Sequence, residues 1–171
     1  MGGPEELSMD DPADTARRHP AAAAREAPRY ERDLYSWAMR QAELLRAGRI
    51  AEADALNIAE ELDDVGNEQY DKLESALRIV LLHLLKWDHQ PQRRSHSWWA
   101  SIAVQRNHIH RVLRKNPGLK PHLKEAVSEA YKDARVEAAS QTRLTPRSFP
   151  LRCPFSWKEI MEREIAWPAE E

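Results

Sequence analysis

Apolar residues recur at helical spacing through most of the chain after Tyr30, and the pattern predicts an all-α fold. Residues 30–47 place Leu34, Trp37, Ala38, Gln41, Ala42 and Leu45 on one face, and Gly48 is suited to end that helix. A second pattern starts near Ile50 and lines up Leu56, Ala59, Leu62 and Val65 as a stripe. Gly66 then suits a left-handed C-cap and Asn67 an N-cap, so a break into two antiparallel helices is expected, with one kinked helix as the alternative. Beyond it, Tyr70, Leu73, Leu77, Val80, Leu84 and Trp87 repeat at threes and fours, while Ile79, Leu81, Leu82 and Leu85 make the other faces apolar. A helix apolar nearly all round is buried nearly all round, so this one is expected at the centre.

Pro91 cannot sit inside a helix and forces a turn. Trp98, Ile102, Gln105, Ile109 and Val112 then form the inward stripe of a helix ending near Asn116-Pro117-Gly118. Pro121 suits a first turn, and Leu123, Ala126, Val127, Ala130, Ala134 and Ala138 give the next helix a face of small residues. Pro146, Pro150 and Pro154 impose an irregular strap, which Phe149, Phe155 and Trp157 should pin down. Ser156-Trp157-Lys158-Glu159 has capping-box spacing for a last short helix. The sum is one compact bundle of five or six helices around a buried central helix, over residues 30–167. Residues 1–29, with four prolines and no aromatic residue, read as a disordered tail, and residues 168–171 as a short terminal one.

Several of these segments carry a resemblance. Asn57-Ile58-Ala59-Glu60-Glu61-Leu62 with Val65-Gly66, the run from Leu81 to Trp87, and Gln90-Pro91 with Arg93-Arg94-Ser95 and Ser97-Trp98 resemble the bacterial family known as domain of unknown function 29. Tyr30-Glu31-Arg32-Asp33-Leu34-Tyr35-Ser36-Trp37 fits the same pattern, and the likeness spans roughly residues 30–160. It implies a compact all-helical bacterial domain. It supplies no activity, cofactor or catalytic residue.

Composition adds constraints. A chain of 171 residues suits one core, and its single cysteine excludes a disulfide framework and a cysteine zinc site, as befits a cytoplasmic protein. No apolar run approaches the roughly 20 residues of a membrane span, so no membrane association is expected. The net charge of −2 conceals an asymmetry: residues 86–124 hold nine basic residues against Asp88 alone, leaving −10 for the remainder. Such a segment either attracts an anionic partner, a nucleic acid or an acidic protein, or simply pairs with carboxylates elsewhere.

The candidate binding residues are Lys86, Gln90, Arg93, Arg94 and Arg106, with Trp98 beside them. Arg93 and Arg94 offer planar forks for phosphate or carboxylate, Lys86 a point charge, and Trp87 and Trp98 stacking surfaces. The structural alternative places both tryptophans in the core and uses the arginines to cap carbonyls of the preceding helix. On α-helical geometry Trp99, Ala103, Arg106 and His110 form a stripe beside the core stripe, where Arg106 needs a partner. An enzyme holding an anionic substrate with the same arginines would need Glu60, Glu61 and His83 as acid, base or ligand. His83 reads instead as a hydrogen-bonded core histidine. His108 and His110 point about 200° apart on a helix, and no metal site or cofactor is expected. A non-catalytic interaction module with a basic turn is the preferred reading, and an enzyme acting on an anionic substrate the other.

Overall fold

Asp33 opens the first helix, α1 (Leu34–Arg46), by accepting a hydrogen bond from the Ser36 amide at 3.0 Å. The computed structural model describes residues 29–167, so the expected tails lie outside it apart from Arg29. The chain forms two units, one ending at Ala55 and the other beginning at Leu56.

In the first unit, α1 buries Trp37, Gln41 and Leu44. Trp37 Nε1 donates to Asp54 Oδ2 at 3.2 Å, and the Asp54 amide donates to Gln41 Oε1 at 2.9 Å. These two bonds close the loop after Gly48, whose φ of 71° ends α1 as its sequence position suggests. The buried face is rotated from the expected one. Leu34, Ala38 and Leu45 are exposed, because the polar anchors Gln41 and Asp54 set which side turns inward.

The second unit is organised by α2 (Ala55–His89), a single helix of 35 residues. The expected break at Gly66–Asn67 does not occur. A glycine inside a helix costs about 1 kcal/mol relative to alanine, too little to interrupt a helix anchored by a fully apolar second half. Leu73, Leu77, Val80, Leu81, Leu84 and Leu85 are wholly buried, which makes this half of α2 the centre of the core. Helix α3 (His96–Lys115) runs antiparallel to it: Lys86 meets Trp98 at one end, and Asn116 meets Gln69 at the other. Helix α4 (Leu123–Thr142) runs parallel to α2, joined to it by Arg78–Glu137 and by Gln90 bonding to Thr142. Ala126, Ala130, Ala134 and Ala138 are fully buried along it, so the alanine face does bring backbones close.

Gln90 is the residue where α2 stops, with φ −135° and ψ 64° before Pro91, outside the helical region that a following proline disfavours. Ser95 caps α3 through the Trp98 amide. After α4 the proline-rich strap returns along the bundle. Phe149 is buried, Phe155 and Trp157 pack against the core, and Tyr131 Oη donates to the Pro150 carbonyl at 2.7 Å. The short α5 (Trp157–Glu162) begins with the expected capping box between Ser156 and Glu159. The described residues thus form five α-helices and no strand, and no helix among them is long and apolar enough to cross a membrane.

Candidate basic interaction surface

Most of the cations at the turn are consumed inside the fold. Lys86, only 7% exposed, donates from Nζ to Gln141 Oε1 at 2.8 Å and lies 4.3 Å from the centre of the Trp98 ring. Burial lowers its pKa, so hydrogen bonding and the aromatic face must together hold the ammonium. Gln90, also buried, donates from Nε2 to the Thr142 carbonyl at 3.0 Å and ties the end of α2 to the end of α4. Arg94 donates from Nε to the Trp87 carbonyl at 3.1 Å and sits over the Trp87 ring, capping the helix that precedes it. Trp87 is buried and Trp98 half-buried.

Arg106 has the most complete set of partners. Its guanidinium donates to three backbone carbonyls at the end of α5, those of Ile160 at 2.7 Å, Arg163 at 2.8 Å and Glu159 at 3.1 Å. The carbonyls of Ile160 and Arg163 are acceptors that the helix terminus leaves unpaired, and that of Glu159 also accepts from the Arg163 amide. The stripe that carries Arg106 binds the C-terminal strap along its length, since Trp99 Nε1 donates to the Ile165 carbonyl at 3.1 Å. The partners that Arg106 needs are thus peptide carbonyls. Of the six candidate residues only Arg93 is exposed with no side-chain hydrogen bond or ion pair among the described residues.

His83 lies one helical turn before Trp87, its ring centre 6.3 Å from that of Trp98. The expected hydrogen bond is missing at Nδ1, which is buried without a partner. Burial, reinforced by the Lys86 charge, lowers its pKa from 6.5 to about 4. The unfolded chain therefore binds a proton that the folded chain refuses between those two values. Stability contributed by neutral His83 is complete above pH 6.5 and is lost as the pH falls towards 4. Urea unfolding across this interval should show a midpoint that falls with pH, and His83→Leu should remove part of that slope. An unchanged slope would mean that carboxylates alone govern it.

Exposed and unpaired cations gather at the other end of α3. Arg111, Arg114 and Lys115 lie opposite the buried stripe of Ile102, Ile109 and Val112, and Lys120 and Lys124 follow in the next turn and the start of α4. All five are exposed, and no ion pair joins any of them to another described residue. By contrast, Lys72, Arg78, Lys132 and Arg163 are each held by a carboxylate. No acidic residue occurs from His96 to Lys124. Local stability explains only some of this placement. Arg114 and Lys115 suit the negative end of α3, but Lys124 stands in the first turn of α4, where the positive helix end opposes it by a few tenths of a kcal/mol. In the sequence these residues contribute to the charge total of 86–124, and the signal that singles them out is the absence of acids from His96 to Lys124.

The family model for "Domain of unknown function DUF29" matches residues 29–166. The chain belongs to this family. No curated protein and no solved structure matches it. The DUF29 assignment covers both units and agrees with the resemblance carried by the motifs around Asn57, Leu81 and Gln90.

Two cavities of this DUF29 domain bear on catalysis. One, of about 380 Å³, is lined by Glu68, Asp71, Lys72, Gln105 and His108, and another, of about 460 Å³, by Lys124, Tyr131, Lys132, Arg152 and Cys153. Neither is lined by the candidate residues Lys86, Arg93, Arg94 or Arg106. Burial raises the Cys153 pKa, the opposite of an activated thiol. Because α2 is continuous, Glu61 and His83 stand about 33 Å apart along it at 1.5 Å per residue. No group of three or more potential metal ligands occurs among the described residues.

Proposed function

We propose that this DUF29 domain is a non-catalytic interaction module whose exposed basic surface, Arg111, Arg114, Lys115, Lys120 and Lys124, receives an acidic protein segment. The observation that carries the reading is the set of five exposed cations without a carboxylate partner among the described residues, in a fold that pairs so many of its others. Unpaired like charges repel one another, and an anionic partner relieves that cost. Arg93 lies at the opposite end of α3 and extends the same charge sign along the molecule.

A short acidic segment is favoured over nucleic acid by what flanks the surface. Glu125 and Glu129 follow it directly on α4, and Asp71, Glu74 and Asp133 crowd the adjoining side: burial raises the pKa values of Tyr70 and Glu74, reinforced at Tyr70 by Glu125, Glu74, Glu129 and Asp71, and at Glu74 by Asp133, Asp71 and Glu129. A long polyanion crossing the surface would meet this negative border. Trp87 and Trp98, already packed, offer no platform for stacking bases.

A fluorescent oligoglutamate peptide should bind the protein, and raising salt from about 50 to about 500 mM should weaken it at least about tenfold. Arg114→Glu combined with Lys115→Glu should weaken it by a similar factor while leaving the melting temperature within about 2 °C. Tighter binding of a DNA duplex than of the peptide under the same conditions would transfer the surface to nucleic acid. Binding of neither would remove the proposal.

A further inference from the structure

The first four turns of α2 contain no buried residue. From Ala55 to Glu68 the helix extends about 21 Å at 1.5 Å per residue, and every side chain on it is exposed or half-exposed. It is nonetheless patterned as a packing helix. Ile58, Leu62, Val65 and Gln69 lie on the same side as the core residues Leu73, Ala76 and Val80 further along, yet Leu62 is 65% and Val65 58% exposed. Around this stripe stand Glu60, Glu61, Asp63, Asp64 and Glu68, with no basic residue from Ala55 to Glu68.

This arm complements the basic surface just described. The surface has five cations and is bordered by acids only where Glu125 and Glu129 follow it on α4. It also has one exposed apolar side chain, Val104, 57% exposed, on the outer face of α3 with Arg111 and Lys115. The two elements adjoin within one chain: Asn116, at the end of α3, donates to Gln69, at the base of the arm, at 3.5 Å. From the arm's base, the arm extends away along α2 and the basic surface lies on α3 and its turn. A two-fold axis near that junction lets each arm lie on the other copy's basic surface, so both contacts form at once and the assembly closes. Two arms paired directly would instead bring together two stretches that each hold acidic residues and no basic one.

We infer that the acidic partner of the basic surface is the α2 arm, residues 55–68, of a second copy of this chain, in a reciprocal two-fold dimer. The inference rests on the function proposed above and names the partner of that same surface. Leu62 and Val65 supply the apolar contact against Val104, and the opposed charges set register and association rate.

Complementation between two variants tests it. In sedimentation velocity at low salt the full chain should run at twice its 19.8 kDa mass and dissociate as salt rises. Leu62→Asp, which disables the arm, and Arg114→Glu with Lys115→Glu, which disables the surface, should each leave a folded monomer, with self-association weakened at least about tenfold. An equimolar mixture of the two should recover a dimer, because one intact arm still meets one intact surface. A wild-type chain that stays monomeric, a dimer that survives Leu62→Asp, or a mixture that stays monomeric would each overturn the inference. Oligoglutamate binding separates the two readings: if the wild type is monomeric but binds the peptide through Arg114 and Lys115, the acidic-partner function stands and only the identity of the partner falls. If it binds no peptide and does not dimerise, both fall.

Discussion

Arg106→Ala is expected to destabilise the second unit by about 3 kcal/mol, one of the two largest effects of any single substitution considered for this chain. The guanidinium serves three carbonyls at once, and truncation leaves those of Ile160 and Arg163 without their side-chain donor, while Glu159 keeps the Arg163 amide. Each bond from a charged donor to a backbone acceptor contributes about 1.5–3 kcal/mol, but water recovers part of this at a half-buried site, so the three do not add in full. For a protein of this length the loss corresponds to a fall in melting temperature of roughly 6–12 °C. Arg106→Lys should restore less than half of the loss, because one ammonium cannot reproduce a planar fork spanning three acceptors. The Trp167 ring packs 4.7 Å from that of Trp99, so tryptophan emission should shift as the strap loosens. A loss below about 0.5 kcal/mol would show that the strap is held by Ile160, Met161 and Ile165 alone.

The other large effect is expected in the buried half of α2. Leu84→Ala should cost about 3 kcal/mol, within the usual range of about 2–5 for a fully buried leucine, since the surrounding helices cannot close completely on the space left. Leu62→Ala on the same helix should change stability by less than about 0.5 kcal/mol in dilute protein. The contrast between two leucines 22 positions apart tests whether α2 is a core element at one end and an uncovered arm at the other. Equal costs, measured by urea unfolding, would contradict the exposure of the arm.

Sequence periodicity located the faces of α3 and α4 because both the pattern and the coverage are local facts there. Ser156 and Glu159 announced α5 through spacing alone, and the Trp99–Arg106 stripe was visible as a second face needing partners. The N-terminal half of α2 was misread for a related reason. Leu56, Leu62 and Val65 have helical spacing, but spacing says which residues share a side, not whether anything covers that side, and Leu56 is 86% exposed. Gly66 misled because its cost is local, while the helix is secured by leucines many residues further on.

The candidate site divided in the same way. The basic character of residues 86–124 was legible as a sum. Which charges were already spent was not, because Lys86 meets Gln141 and Arg106 meets Ile160 across more than 50 residues of sequence. The turn therefore drew attention by its density of arginine, while the unpaired cations stood at the far end of α3. Their distinguishing feature, cations with no nearby acid and one of them at the positive end of α4, was present in the sequence once helix boundaries were known.

The central claim is that the basic residues of this segment do different work: Lys86, Arg94 and Arg106 hold the fold, and those from Arg111 to Lys124 receive an acidic segment. One titration of fluorescent oligoglutamate into three proteins tests it most directly: wild type, Arg106→Ala, and Arg114→Glu with Lys115→Glu, each with its melting temperature recorded. The account predicts that Arg106→Ala melts early yet binds within about twofold of wild type below its transition, whereas the double variant melts normally and binds at least about tenfold more weakly. Binding lost with Arg106 but retained in the double variant would contradict it.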